Sequence, residues 1–156
     1  MIADFVAPLD GRLVSLDKVP DPVFSQKVLG DGFAIEPVNG QVVSPVNGTV
    51  TMVMDSKHAI GLTSHTGLLE IIVHFGIDTV NLCGEGFTVF VKAGDRVKAG
   101  QPLFAADMDE VTGKVPSVIT PIVFTNLTGQ TVTIQEGQTV RRGEPLPIAL
   151  SQQNQE

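Results

Sequence analysis

The chain has 156 residues and a mass of 16.5 kDa, which suits one domain built on a single hydrophobic core. Apolar residues make up 42% of it and the net charge is −7, so neither a disordered chain nor the basic face of a nucleic-acid binder is expected. The longest uninterrupted apolar run is Leu103 to Ala106, no charged-then-apolar leader precedes the first elements, and Cys83 is the single cysteine; the sequence is therefore expected to be soluble, without membrane insertion, and cytoplasmic.

Sixteen glycines and ten prolines punctuate the chain and favour many short strands over long helices. The first predicted strand, 11–16, follows the turn Pro8-Leu9-Asp10-Gly11, and a second is expected over 32–36. A third, 41–54, contains an echo of the first: Ala7-Pro8-Leu9-Asp10-Gly11-Arg12-Leu13-Val14 recurs as Ser44-Pro45-Val46-Asn47-Gly48-Thr49-Val50-Thr51. Strands at 58–63 and 69–75 follow. Next comes Val91 to Leu103, in which Gly94 and Gly100 flank a short strand and Pro102 opens another over 102–106. Asp107 to Lys114 suits one or two helical turns, and strands are expected at 119–125, 131–134 and 146–150. Ile134 to Leu146 repeats the earlier glycine motif, with Gly137, Gly143 and Pro145 in the matching places. These elements predict an all-β sandwich or barrel in one domain, 1–150, followed by a frayed polar tail, 151–156.

The chemistry concentrates in two strands. Lys57-His58-Ala59-Ile60 and Ile71-Ile72-Val73-His74-Phe75 are separated by Ser64-His65-Thr66-Gly67, which is good turn chemistry. The midpoint between His58 and His74 is position 66, inside that turn. An antiparallel hairpin would then set the two histidines roughly opposite, with Cβ atoms about 4.5–5.5 Å apart. A neutral imidazole is a nucleophile near pH 7, and a second imidazole beside it can donate a hydrogen bond to a transferring phosphoryl group. Spacing alone leaves a metal site equally open.

The string Glu70-Ile71-Ile72-Val73-His74-Phe75-Gly76-Ile77-Asp78-Thr79-Val80, followed by Gly84-Glu85-Gly86-Phe87, resembles the active-site signature of the glucose-family IIA components of bacterial sugar phosphotransferase systems. Val19-Pro20-Asp21-Pro22-Val23-Phe24-Ser25, Gly30-Asp31-Gly32 and Lys57-His58-Ala59 extend the resemblance over nearly the whole chain. The resemblance implies a β-sandwich of the duplicated hybrid-motif type. It also implies that His74 accepts a phosphoryl group from the phosphocarrier HPr and passes it to a cysteine on the IIB domain of a sugar permease. His58 matches the second, supporting histidine, and Ser56 stands where the family often has a hydrogen-bonding Thr. An apolar docking disc would consist of Val23, Phe24, Val28, Leu29, Met54, Ile72 and Val80, with Asp21 and Asp78 on its acidic rim. No cofactor and no metal are implied, while regulatory target proteins are.

Three features depart from that pattern. The two histidines are one residue further apart than is usual, so an extra residue around Leu68 or Leu69 must be absorbed in the turn or a bulge. The sequence begins almost at the folded domain, without the amphipathic extension of enteric-type members. Cys83 stands where a polar residue is common, and is not the IIB phosphocysteine. His65 has no matching role and is expected to be solvated at the turn tip. Two other readings compete: a zinc-dependent hydrolase, which needs a third ligand, and a lipoyl-like carrier, which needs a lysine at a hairpin tip that is not evident here.

Overall fold

The structure, a computed structural model, describes residues 4–66 and 69–152. Its first strands are β1 (Gly11–Ser15), β2 (Asp31–Pro37), β3 (Gln41–Val43), β4 (Gly48–Val53), β5 (Ala59–Ser64) and β6 (Glu70–His74). The next are β7 (Phe87–Val89), β8 (Arg96–Val97), β9 (Pro102–Ala106) and β10 (Thr120–Phe124), and the last are β11 (Gln130–Thr133), β12 (Thr139–Val140) and β13 (Ala149–Gln152). Two short helices, α1 (Pro22–Ser25) and α2 (Met108–Thr112), interrupt them, with 3-10 turns at Leu16–Lys18 and Thr79–Leu82. The main sheet has eight strands in the order β12-β1-β2-β10-β6-β5-β4-β8; β3-β9-β7 and β11-β13 form smaller sheets. Every pairing is antiparallel. This is the expected all-β sandwich.

The two sequence echoes form a single hub with approximate twofold symmetry. Gly11 pairs with Val140, and its counterpart Gly48 pairs with Val97. Ala7 exchanges backbone hydrogen bonds with Gly143 and Glu144 as Ser44 does with Gly100 and Gln101. The first turns then cross: Val6 N donates to Pro45 O, and Val43 N donates to Pro8 O. Even the side-chain caps correspond. Asp10 Oδ1 accepts from Arg142 N at 2.8 Å, and Asn47 Oδ1 accepts from Ala99 N at 2.9 Å. A repeated motif thus closes both ends of the main sheet without long connections.

Between these ends lies the core. β2 and β10 are apolar at consecutive positions because both of their faces are covered. Phe33, Ile35, Ile122 and Phe124 face the main core, whereas Ala34 and Val123 face an outer cluster with Leu16, Val19 and Phe24. That outer cluster carries α1, which Asp21 caps by accepting from Val23 N at 2.9 Å, with Pro22 in the first turn.

Three expectations need correcting. The predicted strand 41–54 is two strands in different sheets, because Pro45-Val46-Asn47-Gly48 turns the chain and Ser44 Oγ donates to Val46 O at 2.7 Å. The strand expected over 146–150 begins only at Ala149, since Pro145 and Pro147 lack the N–H that a ladder needs. Ser151 and Gln152, expected in the frayed tail, instead pair with Thr131 and Gln130. The short strands expected between the paired glycines are β8 and β12, and α2 occupies the helical turns expected after Asp107.

Candidate functional site

The histidine pair sits where β5 begins and β6 ends. Register runs unbroken from Thr63 opposite Glu70 to Ala59 opposite His74, so the residue directly across from His74 is Ala59, not His58. His58 instead accepts from Phe75 N through its carbonyl at 2.8 Å. Strict alternation would separate the two rings, but the pleat ends here: Lys57 has φ +67° and Gly76 has φ +74°. The chain bends at both points and the imidazoles meet edge to face, with centroids 4.6 Å apart and an interplanar angle of 83°. The longer separation is accommodated at the other end, where Ser64 N donates to Leu69 O and Ser64 Oγ accepts from Leu69 N. Leu68 lies outside the described residues.

One backbone atom orders the protons. His74 Nδ1 lies 2.9 Å from Gly76 O, and a carbonyl can only accept, so Nδ1 carries the hydrogen. The lone pair of His74 is therefore on Nε2. His58 Nε2 lies 3.1 Å from it and must be the donor of that bond. His58 Nδ1 is then left as an acceptor in a buried setting. Burial, and then the neighbouring His74, push the His58 imidazole down to about 4, against the opposing pull of the Ser56 backbone. Burial also lowers His74, against the opposing pull of the Gly76 carbonyl and the Asp21 charge. Both rings are neutral at pH 7, and the arrangement offers one oriented nucleophilic nitrogen with an N–H beside it.

The other candidates fall around this pair. Phe24 is 5% exposed and lies below the expected disc, its ring 5.0 Å from that of His74. Val23, Val28, Leu29, Met54 and Val80 are exposed, and Ile72 is half-buried two residues before His74 on the same face of β6. Val28 N donates to Val23 O, which folds that pair together. Asp21 is half-buried at the start of α1, while Asp78 is exposed with φ +59° ahead of the Thr79–Leu82 turn. Ser56 makes no side-chain hydrogen bond to either histidine among the described residues. His65 is exposed at the turn, as expected, with its Nε2 3.0 Å from Thr49 Oγ1.

Sequence reasoning missed the Gly76 carbonyl, the Phe87 ring 6.4 Å from His58, and the buried Thr79 hydroxyl, which donates to Phe75 O at 2.7 Å. Only the Gly after His74 carried a legible signal. Among the described residues, no three His, Cys, Asp or Glu side chains converge on a metal position, and no helix is long and apolar enough to cross a membrane.

Comparison with known proteins gives the same answer from another direction. The family model described as phosphoenolpyruvate-dependent sugar phosphotransferase system, EIIA 1, matches residues 3–130. The PTS system glucose-specific EIIA component of Staphylococcus epidermidis is 45% identical over 146 residues, 93% of this chain and 87% of that protein. The PTS system glucose-specific EIICBA component of Staphylococcus carnosus is 47% identical over 138 residues, which is 88% of this chain but 20% of that longer protein. Among solved structures, glucose permease IIA from Mycoplasma capricolum superposes with a TM-score of 0.85 at 41% identity, covering 92% of this chain and 93% of that one. A pair of neutral histidines on a duplicated β-sandwich, matched over most of its length by these relatives, places the chain in the EIIA family of the phosphoenolpyruvate-dependent sugar phosphotransferase system, as a phosphocarrier of that relay.

Proposed function

We propose that His74 is the residue that carries the phosphoryl group, through Nε2, and that His58 assists each transfer. The observation that supports this most directly is the hydrogen bond from His74 Nδ1 to Gly76 O, which leaves the Nε2 lone pair available. The His74 Nε2 lone pair attacks phosphorus on the phosphohistidine of HPr. The donor's P–N bond breaks, and its electron pair returns to the donor imidazole. The His58 Nε2–H, which rests against the same nitrogen, then has a phosphoryl oxygen as its acceptor. In the second step a cysteine thiolate of a IIB domain attacks phosphorus, the His74 N–P bond breaks and the neutral imidazole is regenerated.

The docking surface is assigned to Val23, Val28, Leu29, Met54, Ile72 and Val80, with Phe24 as support for the His74 ring and Asp21 and Asp78 as acidic contacts. The fused EIICBA relatives support a IIB partner. HPr as donor, regulatory target proteins and a cytoplasmic location follow from the family reading. The test is intact-mass measurement after incubation with phosphoenolpyruvate, enzyme I and HPr. Wild type gains one acid-labile phosphate and His74→Ala gains none; a phosphate retained on His74→Ala would refute the assignment.

A further inference from the structure

We propose that the end of the main sheet remote from His58 and His74 holds a second site, one that binds a soluble phosphomonoester dianion. A surface cavity of about 530 Å³ there is lined by Asn47, His65, Arg96, Val97, Lys98 and Gln101. Its residues share one face. Arg96 lies opposite Thr49 and Thr49 opposite Thr63, while Lys98 follows Arg96 by two positions. His65 follows Thr63 by two and holds its Nε2 against Thr49 Oγ1 at 3.0 Å. One guanidinium, one ammonium and an imidazole thus line a space to which no carboxylate among the described residues contributes, and the Thr49 hydroxyl holds the imidazole from behind.

This concentration of cations is unusual for a chain of net charge −7. Arg12, Lys18, Lys27, Lys114 and Arg142 pair with carboxylates; of the five cations without an ion pair among the described residues, Lys57, Lys92, Arg96, Lys98 and Arg141, Arg96 and Lys98 are the two that line one groove together. The internal symmetry supplies the control. In the other half of the hub, Asp10 stands for Asn47, Arg12 for Thr49, Val38 for His65 and Arg141 for Lys98. There Arg12 is tied to Glu36, and Asp10 places a carboxylate in the groove. The same backbone there lines its groove with Arg12 and Arg141 but balances them with Asp10 and Glu36, so the fold does not require cations without carboxylates here. A planar guanidinium with a neighbouring ammonium is the donor set that binds phosphate oxygens. From strand rise and spacing, this pocket lies roughly 15–20 Å from His74, too far to serve the phosphoryl group there.

The experiment is a titration of the full chain with inorganic phosphate and with glucose 6-phosphate, followed by proton–nitrogen NMR. It involves no relay protein, so its outcome is independent of the role assigned to His74. Saturable shifts centred on the His65 imidazole, Thr49, Arg96 and Lys98 are expected. The Arg96→Gln, Lys98→Gln double variant is expected to weaken binding about tenfold or more while keeping phosphoryl acceptance at His74. No saturable response, shifts spread equally over Lys18, Lys27 and Lys114, or a response unchanged in the double variant would each overturn the proposal.

Discussion

At the scale of single residues, the site depends on where two protons sit. The Gly76 carbonyl holds one on His74 Nδ1, and His58 supplies the other. The pair itself was legible in the sequence, but the tautomer was not, because a backbone oxygen sets it and any residue at that position carries one. His58→Gln keeps an amide donor but not the imidazole's position, so it is expected to accept phosphate yet slow transfer to IIB by about 10²–10³-fold, the usual effect when a donor is no longer positioned. Rapid-quench transfer rates check this, and an unchanged rate would remove His58 from the mechanism. Burial holds His58 at about 4 when folded, against 6.5 for its ordinary value. Between those values the unfolded chain binds the extra proton, so stability falls as pH drops through that window and is full above it. Thermal melts from pH 4 to 7 should show this slope, and His58→Gln should reduce it.

Elements decide whether those residues meet. Strand pairing alone would face His74 with Ala59, and only the bends at Lys57 and Gly76 bring His58 across. The sequence midpoint predicted the meeting but not the manner, since alternation rules say nothing of chain direction past the last ladder bond. Gly76 is tightly placed: a Cβ there would lie 3.0 Å from Thr79 Cγ2 and 3.1 Å from Ser117 O, at φ +74°. Gly76→Ala is therefore expected to cost about 1–3 kcal/mol in urea unfolding and to slow phosphoryl acceptance as the carbonyl shifts. Wild-type values for both would contradict the role given to that carbonyl. Helix α1 went unpredicted because four residues carry no periodicity, although Asp21-Pro22 is a legible start. Asp21→Ala removes its cap and should cost about 1 kcal/mol. It should also loosen Phe24 against His74, which proton NMR of the ring would detect.

For the whole molecule, the duplicated motif was the most informative part of the sequence. It anticipated β1, β4, β8 and β12, and the structure joins the copies in one hub. What the echoes did not reveal was that positions 41–54 divide between two sheets, because the break depends on which sheet each half can reach. The hub also predicts unequal mutational costs. Asp10 accepts from Asn39 Nδ2 and from the Arg142 backbone and guanidinium, whereas Asn47 Oδ1 caps only Ala99 N. Asp10→Ala should therefore destabilise more than Asn47→Ala, at about 0.5–1.5 kcal/mol for each hydrogen bond lost. Chemical denaturation of the two variants decides this, and equal costs would count against the asymmetry. On the opposite side of the ledger of function, Val80 is half-exposed and unneeded by the core, so Val80→Lys should leave stability within about 0.5 kcal/mol while weakening transfer from HPr.

The most direct measurement is proton–nitrogen correlation NMR of the phosphorylated protein, with nitrogen-15 in the histidine rings. The geometry predicts phosphorus on Nε2 of His74, with Nδ1 still protonated against the Gly76 carbonyl. Phosphorus on Nδ1 of His74, or on either nitrogen of His58, would contradict it.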